Sequence, residues 1–307
     1  MFTLFTIPKS FKGHIGVIQR NAIGSWTRLR HQHQPNPEII LFGKDEGTAE
    51  FARELDLRHI PDVATNEFGT PLLDDLFRKA EGVARFPTLA YVNADIILLS
   101  DFVRAADIVQ RRSPKSLMVS KRISLDIPEP LEFFPGWEET FKQRAQTTGT
   151  EDHYSSIDVF VFPKGMYSSI PDFAIGRLWF DHWLIKAVRL QELPVIDASR
   201  VAPLFHQRHD YNHVPGGVEQ VWRGKEAQRN FQLYGGVEHA YTLLDVTHEL
   251  APSGSIRRVR FRKPLYKVKS LAWKLLVERT VGIRNALGLR RDPGKSPASP
   301  RIPSVLG

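Results

Sequence analysis

The chain has 307 residues, 42% hydrophobic and 25% charged, an ordinary globular balance with room for one large domain or two modest ones. It contains no cysteine, which excludes disulfides, thiolate nucleophiles and Cys-ligated zinc. The net charge of +8 sits at one end: residues 256–307 hold 14 Lys and Arg against Glu278 and Asp292, a balance of +12, so the first 255 residues carry −4.

MFTLFTIPKSFKG at the N-terminus lacks a basic n-region and offers only seven residues before Pro8, so a signal peptide is not expected. No run approaches the roughly 18 apolar residues of a spanning helix. The expectation is a cytoplasmic protein made without export. Phe2–Pro8 then reads as a strand, Ile15–Leu29 as a helix, and EIILFG (Glu38–Gly43) as a strand buried on both faces. Thr48–Leu55 reads as a helix, Leu57–Ile60 as a short strand and Pro71–Val83 as a helix. Thr88–Leu99 reads as one long strand, followed by a helix over Asp101–Gln110 capped by Ser100 or Asp101, and a strand over Leu117–Lys121. Such alternation predicts a mostly parallel sheet covered by helices, with ligands at the carboxyl ends of its strands. Beyond residue 122 the pattern loosens. Ile157–Phe162 and Leu193–Ala198 read as strands, Phe180–Leu190 as a helix, and Pro215, Gly216 and Gly217 open a loop-rich stretch. Tyr266–Leu289 has helical periodicity, and PGKSPASPRIPSVLG has the composition of a disordered tail.

Four clusters carry chemistry. Asn93-Ala94-Asp95 interrupts the apolar run YVNADIILLS; in a strand the two polar side chains share a face, where they either bind a hard divalent cation or merely end the strand. FHQRHDYNH gathers His206, His209, His213 and Asp210 around Arg208: imidazoles for a metal and a guanidinium for phosphate, or a hydrogen-bonded polar loop. Asp181 opens a helix, where the positive dipole end favours a carboxylate, between Trp179 and Trp183, whose faces suit a sugar ring. It is a general base for a hydroxyl or an N-cap beside core aromatics. Asn66-Glu-Phe-Gly-Thr-Pro71 precedes a helix, where free N–H groups can meet phosphate or a base edge, or serve only as a cap.

Taken in order, TIPKSF, IQRNAIGSW, EIILFG before GTAEFA, NEFGTPLL, YVNADIIL, DVFVFPKGMYSSIPDFAIGRLWFDHWLI and PVIDAS before HQRHDYNH resemble the GT-A fold, nucleotide-sugar-dependent glycosyltransferases, specifically a bacterial glycosyltransferase-like family, from about Phe5 to Gly217. The resemblance implies a GT-A type, Rossmann-like, mostly parallel sheet flanked by helices over residues 1–217. A loop-rich extension (218–256), a basic amphipathic helical segment (257–291) and a disordered tail (292–307) follow. Thr6, Ile7 and Pro8, with Gln19, Arg20 and Ser25, would line the base and diphosphate. Gly43 and Lys44 would lie beside the base, and Asn66, Gly69 and Thr70 would close over the nucleotide. Asn93 and Asp95 stand at the Asp-x-Asp metal motif, with Asn in place of the first Asp. Asp95 would hold Mn²⁺ or Mg²⁺ together with His206 or His209, Arg208 would face phosphate, and Asp181 would be the catalytic base. Asp158 is either an acceptor contact or a strand-end hydrogen-bonding residue.

The implied partners are a nucleoside-diphosphate sugar and a glycan or lipid-linked acceptor of surface polysaccharide or glycolipid assembly. The basic tail, with Leu271, Trp273 and Leu275, either docks on an anionic membrane or packs as a solvated helix. Nucleic acid is not expected, because the body is mildly acidic and carries no binding motif. Two alternatives stand beside this: a sugar-phosphate nucleotidyltransferase, although PKSFKG is poor in glycine, and a non-catalytic nucleotide- or glycan-binding scaffold.

Overall fold

The computed structural model describes residues 1–29, 36–210, 217–236 and 240–259. The chain divides into two compact units, Met1–Arg258 and Val259–Gly307, and the elements described all belong to the first. Its first part alternates as the pattern requires: β1 (Thr3–Thr6), α1 (Gly13–Trp26), β2 (Glu38–Phe42), α2 (Thr48–Glu54), β3 (Arg58–Ile60), α3 (Leu73–Val83) and β4 (Thr88–Val92). There follow β5 (Ile96–Ile97), α4 (Ser100–Arg112), β6 (Leu117–Val119), β7 (Arg122–Leu125), α5 (Trp137–Thr148), β8 (Thr150–Glu151) and β9 (Val159–Pro163). The last are α6 (Phe180–Leu190), β10 (Val195–Asp197), β11 (Leu204–Gln207), α7 (Gly217–Arg223), α8 (Lys225–Tyr234), β12 (His248–Leu250) and β13 (Ile256–Arg258).

Nine strands form a sheet in the order β13-β12-β10-β6-β9-β4-β1-β2-β3. The pairs among β4, β1, β2 and β3 are parallel, as are β6–β10 and β10–β12, while β9 runs antiparallel to both β4 and β6 and β13 to β12. The central strands are buried on both faces, which is why they are apolar at successive positions. Leu4, Ile39, Leu41, Ala90 and Val92 meet Ile23 and Trp26 of α1, Phe51 of α2 and Phe102 of α4. Their neighbours Phe5, Ile40, Phe42, Leu89 and Tyr91 meet Leu76 and Phe77 of α3 and Leu184, Ile185 and Val188 of α6. This two-residue alternation fixes the register, because a slip by one would exchange the two cores.

A smaller sheet, β5-β11-β7-β8, is covered by α5 through Trp137 and Phe141, which pack with Ile97, Leu125 and Phe205. Its existence corrects the reading of Thr88–Leu99 as one strand. β4 ends at Val92, the Ile96 N–H donates to the Asn93 carbonyl at 3.1 Å, and β5 leaves the large sheet to pair with β11. Asn, Ala and Asp are poor strand formers, and Asn and Asp favour turns. Asn93 and Asp95 therefore flank a turn and do not share a strand face. The stretch expected to be loop-rich, 218–256, holds α7, α8, β12 and β13 among its described residues, and β12 extends the large sheet beside β10. Of the tail only residues 257–259 are described. His213, Pro215, Gly216, the Tyr266–Leu289 helix and the 292–307 tail lie outside the described residues.

Candidate functional site

The turn at the carboxyl end of β4 places Asp95 against β11. His206 lies on β11, paired with Ile96, the residue after Asp95, which brings His206 and Asp95 side by side. His206 Nε2 is 3.6 Å and His209 Nε2 3.1 Å from Asp95 Oδ2. One donor atom from each of Asp95, His206 and His209 lies within 4.8 Å of the other two, the arrangement of a group that can hold a metal ion. Burial pushes the Asp95 carboxyl up, yet hydrogen bonds and charge from the two imidazoles outweigh it and hold the group well below the usual carboxylate range. Burial disfavours a charged His209, but the Asp95 carboxylate raises its pKa nonetheless.

The surroundings are built from residues with no individual signature. Gln207, fully buried, donates through Nε2 to the carbonyls of Ile18 (2.8 Å) and Asp95 (3.1 Å), and its Oε1 accepts from Asn21 at 3.0 Å. Asn21 also donates to the Glu129 carbonyl and accepts from the Leu131 N–H, so α1, β11 and the 129–131 segment are tied at one point. Behind His206, its Nδ1 is 3.0 Å from Ser124 Oγ, which donates to Asp152 Oδ2 at 2.5 Å. Arg122 donates through Nε to Asp152 (2.6 Å) and through Nη1 to Asp158 (3.0 Å). Asn21, Arg122, Ser124, Asp152 and Gln207 escaped the sequence reading, which placed no strand at β7.

Asn93 does not join the imidazoles. Its Nδ2 donates to Asp158 Oδ1 at 2.8 Å and its N–H to the Asp158 carbonyl at 3.0 Å, so Asp158 is a hydrogen-bonding residue at the entry to β9. Thr6 and Pro8 are buried and Ile7 half-buried at the end of β1. Gly43 follows β2 with φ +90°, and a Cβ there would stand 3.0 Å from Ile7 Cγ1, so the two loops approach too closely for a side chain. Gln19 clasps the Lys9 backbone with two hydrogen bonds, shaping the loop after β1. The exposed Lys9 side chain acts electrostatically on Asp95 and His209. Arg20 turns outward to Glu54 (3.1 Å) and the Phe51 ring, and Ser25 is buried against Leu98. Arg208 pairs with Asp126 at 3.0 Å. The Asn66 carboxamide receives the N–H groups of Phe68 and Thr70 and donates to Glu226 of α8, which also pairs with Arg177, while Gly69 stays exposed at φ +78°.

Asp181 lies in the first turn of α6, after Trp179 in the left-handed region (φ +89°), a conformation that a non-glycine residue adopts under strain. Asp181 Oδ1 is buried with no hydrogen-bond partner among the described residues. Burial pushes the carboxyl above the ordinary aspartate range; His182 draws it down and the Asp158 charge pushes it up. The expected sugar platform is corrected for Trp179, which is buried against Phe231 and Tyr234 at 5.1 and 5.3 Å. Trp183 packs on Tyr167 and Phe173 and is half-buried.

No protein-family model matches the chain, and no curated protein matches it. Among solved structures it is similar to glucosyl-3-phosphoglycerate synthase from Mycobacterium tuberculosis in complex with Mg²⁺ and UDP, at 12% identity and TM-score 0.47, covering 78% of this chain and 80% of that one. It is also similar to residues 1–349 of S. aureus TarS in complex with UDP-GlcNAc, at 11% identity and TM-score 0.44, covering 69% of this chain and 60% of that one. A third is a putative nucleotide-diphospho-sugar transferase from Desulfovibrio desulfuricans G20, at 11% identity and TM-score 0.38, covering 76% and 96%. The chain spans less than two thirds of the TarS chains it matches. At this overlap the likenesses specify neither a substrate nor a reaction for this chain.

Proposed function

We propose that this protein is a metal-assisted glycosyltransferase that moves a sugar from a nucleoside-diphosphate sugar to an acceptor hydroxyl. The observation that carries the reading is the Asp95, His206 and His209 cluster at the carboxyl end of β4, where ligands of parallel sheets are held. The donor set fits a divalent cation. Asp95 Oδ1 is buried with no hydrogen-bond partner among the described residues, while Oδ2 faces two imidazole nitrogens. Mn²⁺ or Mg²⁺ held there would supply charge neutralisation for the departing nucleoside diphosphate.

The chain's own residues supply the rest. The loops after β1 (Thr6, Ile7, Pro8) and β2 (Gly43) lie where a base and ribose can be lodged, and the Asn66–Thr70 loop can cover them. Lys9 and Arg208 bring positive charge toward the phosphates. Asp181, whose carboxyl is raised by burial, is the general base that takes the acceptor's proton, and the raised value makes it the stronger base. The acceptor is a glycan or a lipid-linked one, in keeping with a basic tail whose charge of +12 suits an anionic membrane surface. Among the described residues no helix is long and apolar enough to cross a membrane.

The test is a screen of UDP- and GDP-sugars for release of nucleoside diphosphate with Mn²⁺, Mg²⁺ or EDTA. Metal-dependent release supports the reading. Pyrophosphate release from a nucleoside triphosphate and a sugar phosphate would make the protein a nucleotidyltransferase, and binding without turnover a scaffold.

A further inference from the structure

We propose that Ser124 and Asp152 are positioning residues that fix the tautomer of His206, so that its Nε2 lone pair is presented to a cation beside Asp95. The inference rests on reading Asp95, His206 and His209 as cation ligands, and it follows from counting protons. A serine hydroxyl has one proton to donate, whereas an ionised carboxylate only accepts. Asp152 Oδ2 lies 2.5 Å from Ser124 Oγ and 2.6 Å from Arg122 Nε, so both donate to it and the serine proton is committed there. Toward His206 Nδ1, 3.0 Å away, Ser124 Oγ has only lone pairs left, so Nδ1 carries the hydrogen. A neutral ring protonated on Nδ1 has its lone pair on Nε2, the atom that faces Asp95 at 3.6 Å.

The chain Arg122–Asp152–Ser124–His206 runs between β7 and the segment after β8 and ends on β11, and all three strands belong to the small sheet. His206 and Ser124 are Cα partners in the parallel β7–β11 ladder, so the backbone sets the distance between them. His209 reaches the same protonation pattern by a different route: its Nδ1 lies 2.8 Å from the Asp210 carbonyl, which can only accept. With both Nδ1 atoms protonated, each Nε2 either carries a second proton and donates to Asp95 or, with that proton gone, offers its lone pair to a cation beside the carboxylate. Outer hydrogen bonds of this type orient metal-binding histidines and raise their basicity.

Two measurements test the proposal. Long-range ¹H–¹⁵N correlation on the wild-type protein, at about two units above the ordinary imidazole pKa, should find a proton on His206 Nδ1; an Nδ1 without one overturns the relay. Calorimetric titration with Mn²⁺ alone should show Ser124→Ala weakening affinity about 10–100-fold, with Ser124→Thr staying within about threefold of wild type. If wild type binds Mn²⁺, His206→Ala abolishes binding and Ser124→Ala keeps wild-type affinity, the relay fails while the cation site stands. If wild type takes up no Mn²⁺, it is the cation site that fails. Should Ser124→Ala not fold, the wild-type spectrum still decides.

Discussion

Asp95, in the turn after β4, and Asp181, in the first turn of α6, are both carboxylates, but their surroundings push them in opposite directions. Asp181, raised by burial, is expected to lose at least about 10²-fold in turnover as Asp181→Asn, with donor affinity little changed. An equally active variant would remove it as base. The same burial has a thermodynamic signature. A carboxyl whose folded pKa lies above its unfolded one adds stability at low pH and loses it as pH rises through the folded value. Asp181→Asn should therefore melt at a higher temperature than wild type at pH 7, and the gap should close below about pH 3.5. Calorimetric melts across that range check the sign. Asp95→Ala should abolish metal-dependent nucleotide binding. Because two of the three donors are imidazole nitrogens, Mn²⁺ should bind roughly tenfold or more tightly than the oxygen-seeking Mg²⁺. Direct titration with each ion decides this, and equal affinities would contradict the nitrogen-rich site.

The elements read most readily in the sequence were those whose burial is uniform. EIILFG announced β2 because both faces of that strand are covered, and α6 was bounded at Phe180–Leu190, as observed, because its apolar stripe and its acidic first turn coincide. Thr88–Leu99 misled for the same reason. Ala90, Val92, Ile96 and Leu98 share one core across the turn, but Leu89 and Tyr91 face a second and Ile97 and Leu99 a third, and hydrophobicity does not record which. β7, β8 and β11 were missed because each is short and its pairing is long-range. α4 was read over Asp101–Gln110 and begins at Ser100, but Ser100 does not cap it: its N–H and hydroxyl are both taken up by Glu138 of α5, 38 residues on. Among the candidate ligands, Asp95, His206 and His209 were visible from residue type, but the buried amides around them were not. Gln207→Leu should make this visible, since it strips partners from Asn21 and from the Ile18 and Asp95 carbonyls. A loss of about 2–3 kcal/mol in urea unfolding is expected, together with weaker Mn²⁺ binding. Unchanged stability would show that these bonds are replaceable.

At the scale of the whole molecule, the first unit closes at Arg258, where β13 completes the edge of the large sheet, and the net positive excess lies beyond it. A chain ending at residue 259 should keep one cooperative unfolding transition and lose sedimentation with anionic vesicles, while vesicle binding that survives would place the contact on the body. The break after β4 has a wider consequence. Asp95 adjoins the β5–β11 ladder that carries His206, whereas Asp181 rides on α6 over the other sheet. The two pieces are stitched where Asn93 and Arg122 both converge on Asp158. On the proposed function, the separation between Asp181 and the Asp95 cluster is thus an articulated coordinate, and loosening that seam should detune turnover while cation binding stays as it was.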